Sequence, residues 1–371
     1  MRPLRILIAP DKFKGTLTAD EAAAAIAAGW RKARPQDSLD LAPISDGGDG
    51  FGPILSAGIK AKARRIKSVD AAGRSASAQW WLEGEKKTAV IESANIIGLA
   101  MLPTGRFHPF DLDTAGLGKV LLAAQKSEAR RCLVGIGGSA TNDGGFGMAR
   151  ELGWRFLDKD DRVITRWIEL GRLHRVVAPA SRRFFSTLTV AVDVQNRLLG
   201  KHGCSRVYGP QKGLREEDFK PAETALRRLA KVTADHLGKD WSTEPGSGAA
   251  GGLGFGLCAF AGAKMQPGFD LIAKQLKLPG RIRRADIVVS GEGSLDRSTA
   301  MGKGVGELAA LCRRHSKRCI GLAGIVQDKA KVERLLTEAH GLCDLTTPRA
   351  AMRNAGRWLT RLAERIATQI R

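Results

Sequence analysis

The sequence predicts an α/β protein of two domains, a Rossmann-like parallel-sheet domain built from both chain ends and a mixed α/β domain inserted between them. Three observations carry this reading. The chain has 371 residues, more than one ordinary core accommodates. Both ends carry short, wholly apolar runs followed by helical patterns, the texture of buried parallel strands in βαβ units. Between them the pattern changes to alternating pieces that suit antiparallel hairpins with one face exposed. The expected boundaries are 1–64 and 284–371 for the first domain and 65–283 for the insert.

The elements follow in order. LRILIAP (4–10) is a short aliphatic strand. Thr18 and Glu21 form a capping box opening an alanine-rich helix that Arg34 and Pro35 close. LDLAPI (39–44) completes the βαβ unit and runs into SDGGDG (45–50). SASAQWWLEG (75–84) and TAVIESA (88–94) are the hairpin pieces that mark the insert. CLVGI (132–136), LTVAVD (188–193) and the small-residue segment GSGAAGGLGFGLCAFAGA (246–263) continue it. The run ADIVVSGEG (285–293) returns to buried-strand texture, followed by a helix and CIGLAGI (319–325). At the C-terminus, Trp358, Leu362, Ile366 and Ile370 fall four apart on one face, the signature of a docking helix.

Composition narrows the class. With 43% hydrophobic and 26% charged residues the chain has a globular balance. The apolar start is broken by Asp11 and Lys12, and no run reaches membrane-spanning length, so a soluble cytoplasmic protein with no membrane partner is expected. The six cysteines show no CxxC pair and no zinc spacing with histidine, and read as reduced core thiols. The net charge of +22 raises nucleic acid as a partner. Scattering of the arginines through helices, without a dense tail or aromatic interleaving, argues instead for a solvated basic surface that attracts nucleotides.

The chemistry concentrates where strands end. LRILIAP runs into DKFKG, LDLAPI into SDGGDG, CLVGI into GGSATNDGG, LTVAVD into VQN, and DIVVS into GEGSLD. Ligands of α/β sheets bind beyond the carboxyl ends of strands, where glycine lets backbone N–H groups approach phosphate. Asp-Gly and Asn-Gly also form plain turns, but five such loops, nearly all bearing an acid, point to a shared site. A helix after GGSATND would add a positive dipole end and unpaired donors. The glycine-rich 246–256 segment fits close helix packing as well as a phosphate contact. Asp46, Asp143, Asp193, Glu292 and Asp296 are hard oxygen ligands suited to Mg²⁺ on nucleotide phosphates, with Lys12, Lys14, Lys212 and Lys303 as matching cations. This inventory suits phosphoryl transfer, which needs positioning, charge neutralisation and an orienter for the attacking hydroxyl. No GxxxxGK(S/T), no HRD and DFG set and no GxSxG occur, which excludes a Walker-type P-loop, a protein kinase and a serine hydrolase elbow.

IAPDKFKGTLTADEAA (8–23), SDGGDG, IESANIIGL (91–99), VGIGGSATNDGGFGM (134–148), DVQNRLLGKHG with VYGPQKG (193–213), GSGAAGGLG (246–254) and VSGEGSLD with GKG (289–304) resemble, in order, the bacterial-type glycerate kinase family. These are two-domain α/β kinases without a P-loop. The resemblance implies ATP- and Mg²⁺-dependent phosphorylation of glycerate to 2-phosphoglycerate. Within the matched motifs, amides of Gly137, Gly138, Gly291 and Gly293, with Ser139, Thr141 and Asn142, are expected to hold ATP, and Lys303 to supply countercharge. Mg²⁺ is expected on two of Asp46, Asp143, Asp193 and Glu292. Asp193 or Asp296 would orient or deprotonate the hydroxyl. Lys14 or Lys12 would receive the glycerate carboxylate, with Asp46, Asn196 and Lys212 on the substrate side. The chain departs from the family's ADGGEGT loop at Ser45, Asp49 and Phe51, which places the variation at the substrate end. The alternative readings are a kinase for another small hydroxy acid and a nonenzymatic nucleotide or nucleic-acid binder; the number of chains in the assembly is left open.

Overall fold

The structure, a computed structural model, describes residues 2–45, 47–300 and 304–370. Asp46 and Lys303, both expected site residues, lie outside the described residues. In chain order the strands are β1 (Arg5–Ile8), β2 (Ser38–Leu41), β3 (Lys62–Val69), β4 (Ser75–Glu83), β5 (Thr88–Glu92), β6 (Arg131–Gly135), β7 (Arg155–Leu157), β8 (Arg175–Val177), β9 (Thr187–Ala191), β10 (Lys264–Gln266), β11 (Ile287–Leu295), β12 (Arg318–Val326) and β13 (Glu338–Gly341). The chain divides into two compact units, the first Met1–Asp46, Pro53–Ile59 and Phe269–Arg371, the second Gly47–Gly52 and Lys60–Gly268. Relative to the boundaries expected from the sequence, residues 269–283 group with the first unit, and 47–52 and 60–64 with the second. One reason is the fit of Leu276, whose Cδ2 comes so close to Gly58 that a Cβ there would lie 2.0 Å from it.

The first unit is a five-stranded parallel sheet in the order β13-β12-β11-β1-β2. Its helix Ala19–Ala33 begins at the expected capping box, with Thr18 accepting from the Glu21 amide and Glu21 accepting from the Thr18 amide at 2.8 Å. That helix buries Ala22, Ala23, Ile26 and Trp30 against Leu359, Leu362, Ala363 and Ile366 of the C-terminal helix Ala355–Gln369. The two helices approach so closely that a Cβ on Gly29 would sit 2.1 Å from the Thr360 carbonyl oxygen. The expected docking face of the C-terminal helix is thereby satisfied.

One expectation is corrected here. GEGSLD is not a loop beyond a strand, because β11 continues through Gly291 and Gly293 to Leu295, paired with β12 as far as Leu295 opposite Val326. The reason is lateral support: β12 is equally long, whereas β1 pairs only with Ile287 to Val289. Past that point the free side of β11 is lined by the chain leaving β1, with the Asp11 amide donating to the Gly291 carbonyl at 2.8 Å.

The second unit holds a mixed six-stranded sheet, order β10-β9-β6-β5-β4-β3, and a separate β7-β8 hairpin. The antiparallel pieces expected from the alternating middle are β3, β4 and β5, while β5, β6, β9 and β10 run parallel. Side chains including Trp80, Trp154, Trp167, Phe146, Phe156 and Phe260 fill its core. All six cysteines are free thiols, five of them buried.

Candidate functional site

In the second unit the carboxyl ends of three neighbouring parallel strands, β5, β6 and β9, lie side by side. Each delivers part of a site: Glu92 from β5, the loop 136–145 from β6, and Asp193 just past β9. Gly47–Gly52 runs over these ends. Glu92 accepts from the amides of Gly50 at 3.0 Å and Gly52 at 2.8 Å. A Cβ on Gly47 would fall 2.8 Å from an Asp193 carboxylate oxygen, and one on Gly137 would fall 2.6 Å from the Gly48 Cα. Gly137 is therefore required by backbone-to-backbone approach, and Gly47 by its left-handed φ of 90° beside the Asp193 side chain. Phe51, one of the departures from the family loop, is fully buried with its ring against Gly135.

The loop 137–145 is fixed by groups of opposite character on its buried side. Asp143, fully buried, accepts from the Thr114 amide (3.0 Å) and hydroxyl (2.8 Å), the Gly145 amide (3.1 Å) and the Gly147 amide (2.9 Å). The Phe146 amide donates to the Asp143 carbonyl and the Met148 amide to the Thr114 hydroxyl. The helix Phe146–Glu151 thus spends its first amides internally, and it is only six residues long. The unpaired donors expected at this helix start are not there, and Asp143, expected as a metal ligand, has its oxygens occupied by loop and helix amides. Burial, and then the nearby Asp113 charge, pushes the Asp143 carboxyl up to about 6.

What remains open is the first part of the loop. Gly138 is exposed with a left-handed φ of 72°, and among the described residues the amides of Gly137 and Gly138 donate to no acceptor. Ser139 and Thr141 are buried and bonded to each other at 2.8 Å. Asn142 donates to the Ser205 hydroxyl at 2.8 Å, and among the described residues its buried Oδ1 has no partner.

Lys212 is also buried, its Nζ 2.6 Å from the Thr141 carbonyl oxygen. Burial pulls its ammonium down to about 8, with Cys204 and Asp143 opposing the shift. Asn196 donates to the His202 carbonyl and accepts from Tyr208, both within ordinary hydrogen-bond distance. The small-residue segment forms the helix Ala249–Ala261, kinked at Ala250, Gly251 and Gly252, all at positive φ. A Cβ on Gly251 would come within 2.0 Å of the Thr141 carbonyl oxygen, which decides this segment in favour of close packing against the loop.

The first unit gathers the remaining expected residues around the overhang of β11. Lys14 is exposed and Lys12 half-buried on the chain leaving β1. The Gly293 Cα faces this stretch, a Cβ there lying 3.2 Å from the Lys14 nitrogen. Glu292 accepts from the Thr299 hydroxyl at 2.8 Å, and Asp296 from the Ser294 hydroxyl at 3.2 Å. Gly291 is buried, with space for a Cβ closed by the Leu322 carbonyl at 2.0 Å, so its lack of a side chain serves the strand pair.

Sequence reasoning passed over Glu92, Thr114, Ser205 and Tyr208. Glu92 was visible by the criterion already in use, an acid ending a strand. Ser205 and Tyr208 sit on a helix and Thr114 just before one, away from strand ends, and no local pattern singles them out.

The comparisons with known proteins agree with one another. The family model described as the glycerate kinase family matches residues 6–371. The chain is similar to the glycerate kinase of Halalkalibacterium halodurans, 36% identical over 86% of this chain and 85% of that protein. It is similar to the glycerate 2-kinase of Escherichia coli at 34% identity over 91% and 89%. A solved structure described as glycerate kinase 2 from Salmonella typhimurium LT2 superposes with a TM-score of 0.85 at 31% identity, covering 99% of this chain and 98% of that one.

Proposed function

We propose, from the premise that this chain belongs to the glycerate kinase family and is a phosphotransferase with an alcohol acceptor, that it transfers the terminal phosphoryl group of ATP to glycerate and releases 2-phosphoglycerate. The observation that carries the reading is the pairing, at adjacent strand ends, of the exposed Gly138 with unengaged amides at 137 and 138 and the exposed carboxylate of Asp193. The amides receive phosphate oxygens without side-chain interference. Asp193 accepts from the Gly268 amide at 2.8 Å and is assigned to orient the attacking hydroxyl.

Mg²⁺, when bound with ATP, neutralises charge on the phosphates. Among the described residues no three of His, Cys, Asp and Glu converge into a preformed cage. That suits an ion that keeps several waters and takes only one or two carboxylates beside the phosphates. Asp193 is the second unit's carboxylate assigned to it; Asp143 does not fit, its oxygens being committed to amides and the Thr114 hydroxyl. In the first unit Lys14, which is exposed, and Lys12 are candidate charge-assisted partners for a carboxylate, and Asp296 is a candidate partner for a hydroxyl. No described helix is long and apolar enough to cross a membrane, and free thiols fit a reducing compartment, which supports a place in the cytoplasm.

The test is ADP release by the purified protein with Mg-ATP and D-glycerate, the product identified by phosphorus NMR. Turnover that requires glycerate and yields the 2-phosphate supports the reading. Turnover only with another hydroxy acid moves the acceptor, and none with any acid refutes it.

A further inference from the structure

Lys212 presents a problem that the proposed chemistry leaves unsolved. It lies in a segment matched to a kinase motif, yet its ammonium is buried and directed at a backbone carbonyl, where it cannot meet an anionic substrate without leaving its place. Burying an ammonium is costly unless it is well paired. Among the described residues its hydrogen-bond partner is the Thr141 carbonyl, in the middle of the loop that exposes Gly138. From the same stretch of chain, the helix Cys204–Tyr208 sends Ser205 to Asn142, the next residue of the loop, and Tyr208 to Asn196 beyond β9. A short segment therefore reaches both the β6 loop and the chain past β9 by side chains alone.

Behind the loop the packing leaves no slack to compensate. The kinked helix brings Gly251 against Thr141, and the Gly144 amide donates to the Gly251 carbonyl at 3.1 Å. Asp143 holds the following turn by its amides. Three left-handed glycines, 138, 144 and 145, leave the loop a wide range of backbone conformations, so which one it holds depends on such fixing. Each anchor acts on a successive residue: Lys212 on Thr141, Ser205 on Asn142, Thr114 on Asp143.

We infer that Lys212, seconded by Ser205, is a positioning residue that holds the loop 137–145 from its buried side in the conformation that presents the Gly137 and Gly138 amides, and that it does not itself contact substrate. The inference rests on the kinase reading for the identity of the anion but not for the geometry.

The experiment uses the full chain and Lys212→Ala, read by hydrogen exchange and by steady-state kinetics. Exchange over 137–149 is expected to quicken about tenfold or more, while the first unit's sheet keeps its protection. kcat/KM for ATP is expected to fall on the order of 100-fold, the cost of a misplaced cradle, with the KM for glycerate unchanged. Propylammonium, which replaces the missing chain and charge, should slow the exchange again and restore turnover. Unchanged exchange over 137–149, or a defect confined to the KM for glycerate, overturns the inference. Should Lys212→Ala not fold, Ser205→Ala decides: faster exchange confined to the same peptide supports it, and exchange equal to the parent's overturns it. If the parent protein releases no ADP with glycerate, the kinase reading fails, and the exchange measurement still decides the positioning role.

Discussion

Replacing Lys212 by Met should stabilise the fold, or leave it unchanged, even as it damages the loop's work. The ammonium is held down at about 8 from its usual 10.5 by burial, a difference of roughly 2.5 units, or about 3 kcal/mol at 1.36 kcal/mol per unit. The sign follows from proton counting. Below pH 8 both folded and unfolded chains carry the charge, and the folded state bears the whole penalty. Between pH 8 and 10.5 the unfolded chain binds a proton that the folded chain has lost, so stability rises with pH; above 10.5 the penalty has gone. Met fills a similar volume without charge. It relieves about 3 kcal/mol at pH 7 but leaves the Thr141 carbonyl without its donor, a loss of about 1–3 kcal/mol. The net expectation is a variant between equal to the parent and about 2 kcal/mol more stable. Urea titrations of both proteins at pH 7 and pH 10 measure this, the parent gaining on the variant as pH rises. Destabilisation by Met of more than about 2 kcal/mol at pH 7, or identical pH slopes for the two proteins, would refute the account. A lysine kept at such a cost, where Met is tolerated by the fold, is kept for what it positions.

Three further outcomes are expected. Gly251→Ala places a methyl 2.0 Å from the Thr141 carbonyl at a φ of 71°, and should cost about 2–4 kcal/mol, seen as a lowered melting temperature. Asp193→Asn should keep the melting temperature of the parent and lose on the order of 100-fold or more in kcat, since the Gly268 amide still finds an oxygen while the hydroxyl loses its base; a kcat within a few-fold of the parent's would remove Asp193 from the chemistry. Glu92→Gln leaves one of the Gly50 and Gly52 amides poorly satisfied, and should cost about 1–2 kcal/mol with faster amide exchange across Gly47–Gly52.

What was legible in the sequence was whatever depends on near neighbours along the chain. The Thr18 and Glu21 capping box, the four-apart face of the C-terminal helix and the switch from buried to alternating strands each express a local rule, and each is present in the structure. The end of β11 was not legible, because Gly-Glu-Gly normally closes a strand, and only the long neighbour β12 keeps this one extended. The same limit governs the glycines. Their density at 137–145 and 246–256 signalled that backbones had to come close to something. Whether that something was a ligand or another backbone depended on pairings more than a hundred residues apart, Gly251 with Thr141 and Gly256 with Gly144.

Asp143 shows the physical consequence most clearly. By position it is a free acid beyond a strand end, the right place for a metal ligand. Its neighbours Thr114, Gly145 and Gly147 supply so many donors that the carboxylate becomes the core of the turn. Asp193, with the same sequence signature, is exposed and accepts from the Gly268 amide on one oxygen. The two differ in burial, which the sequence hides, and burial decides which acid builds the loop and which can reach solvent and ligand.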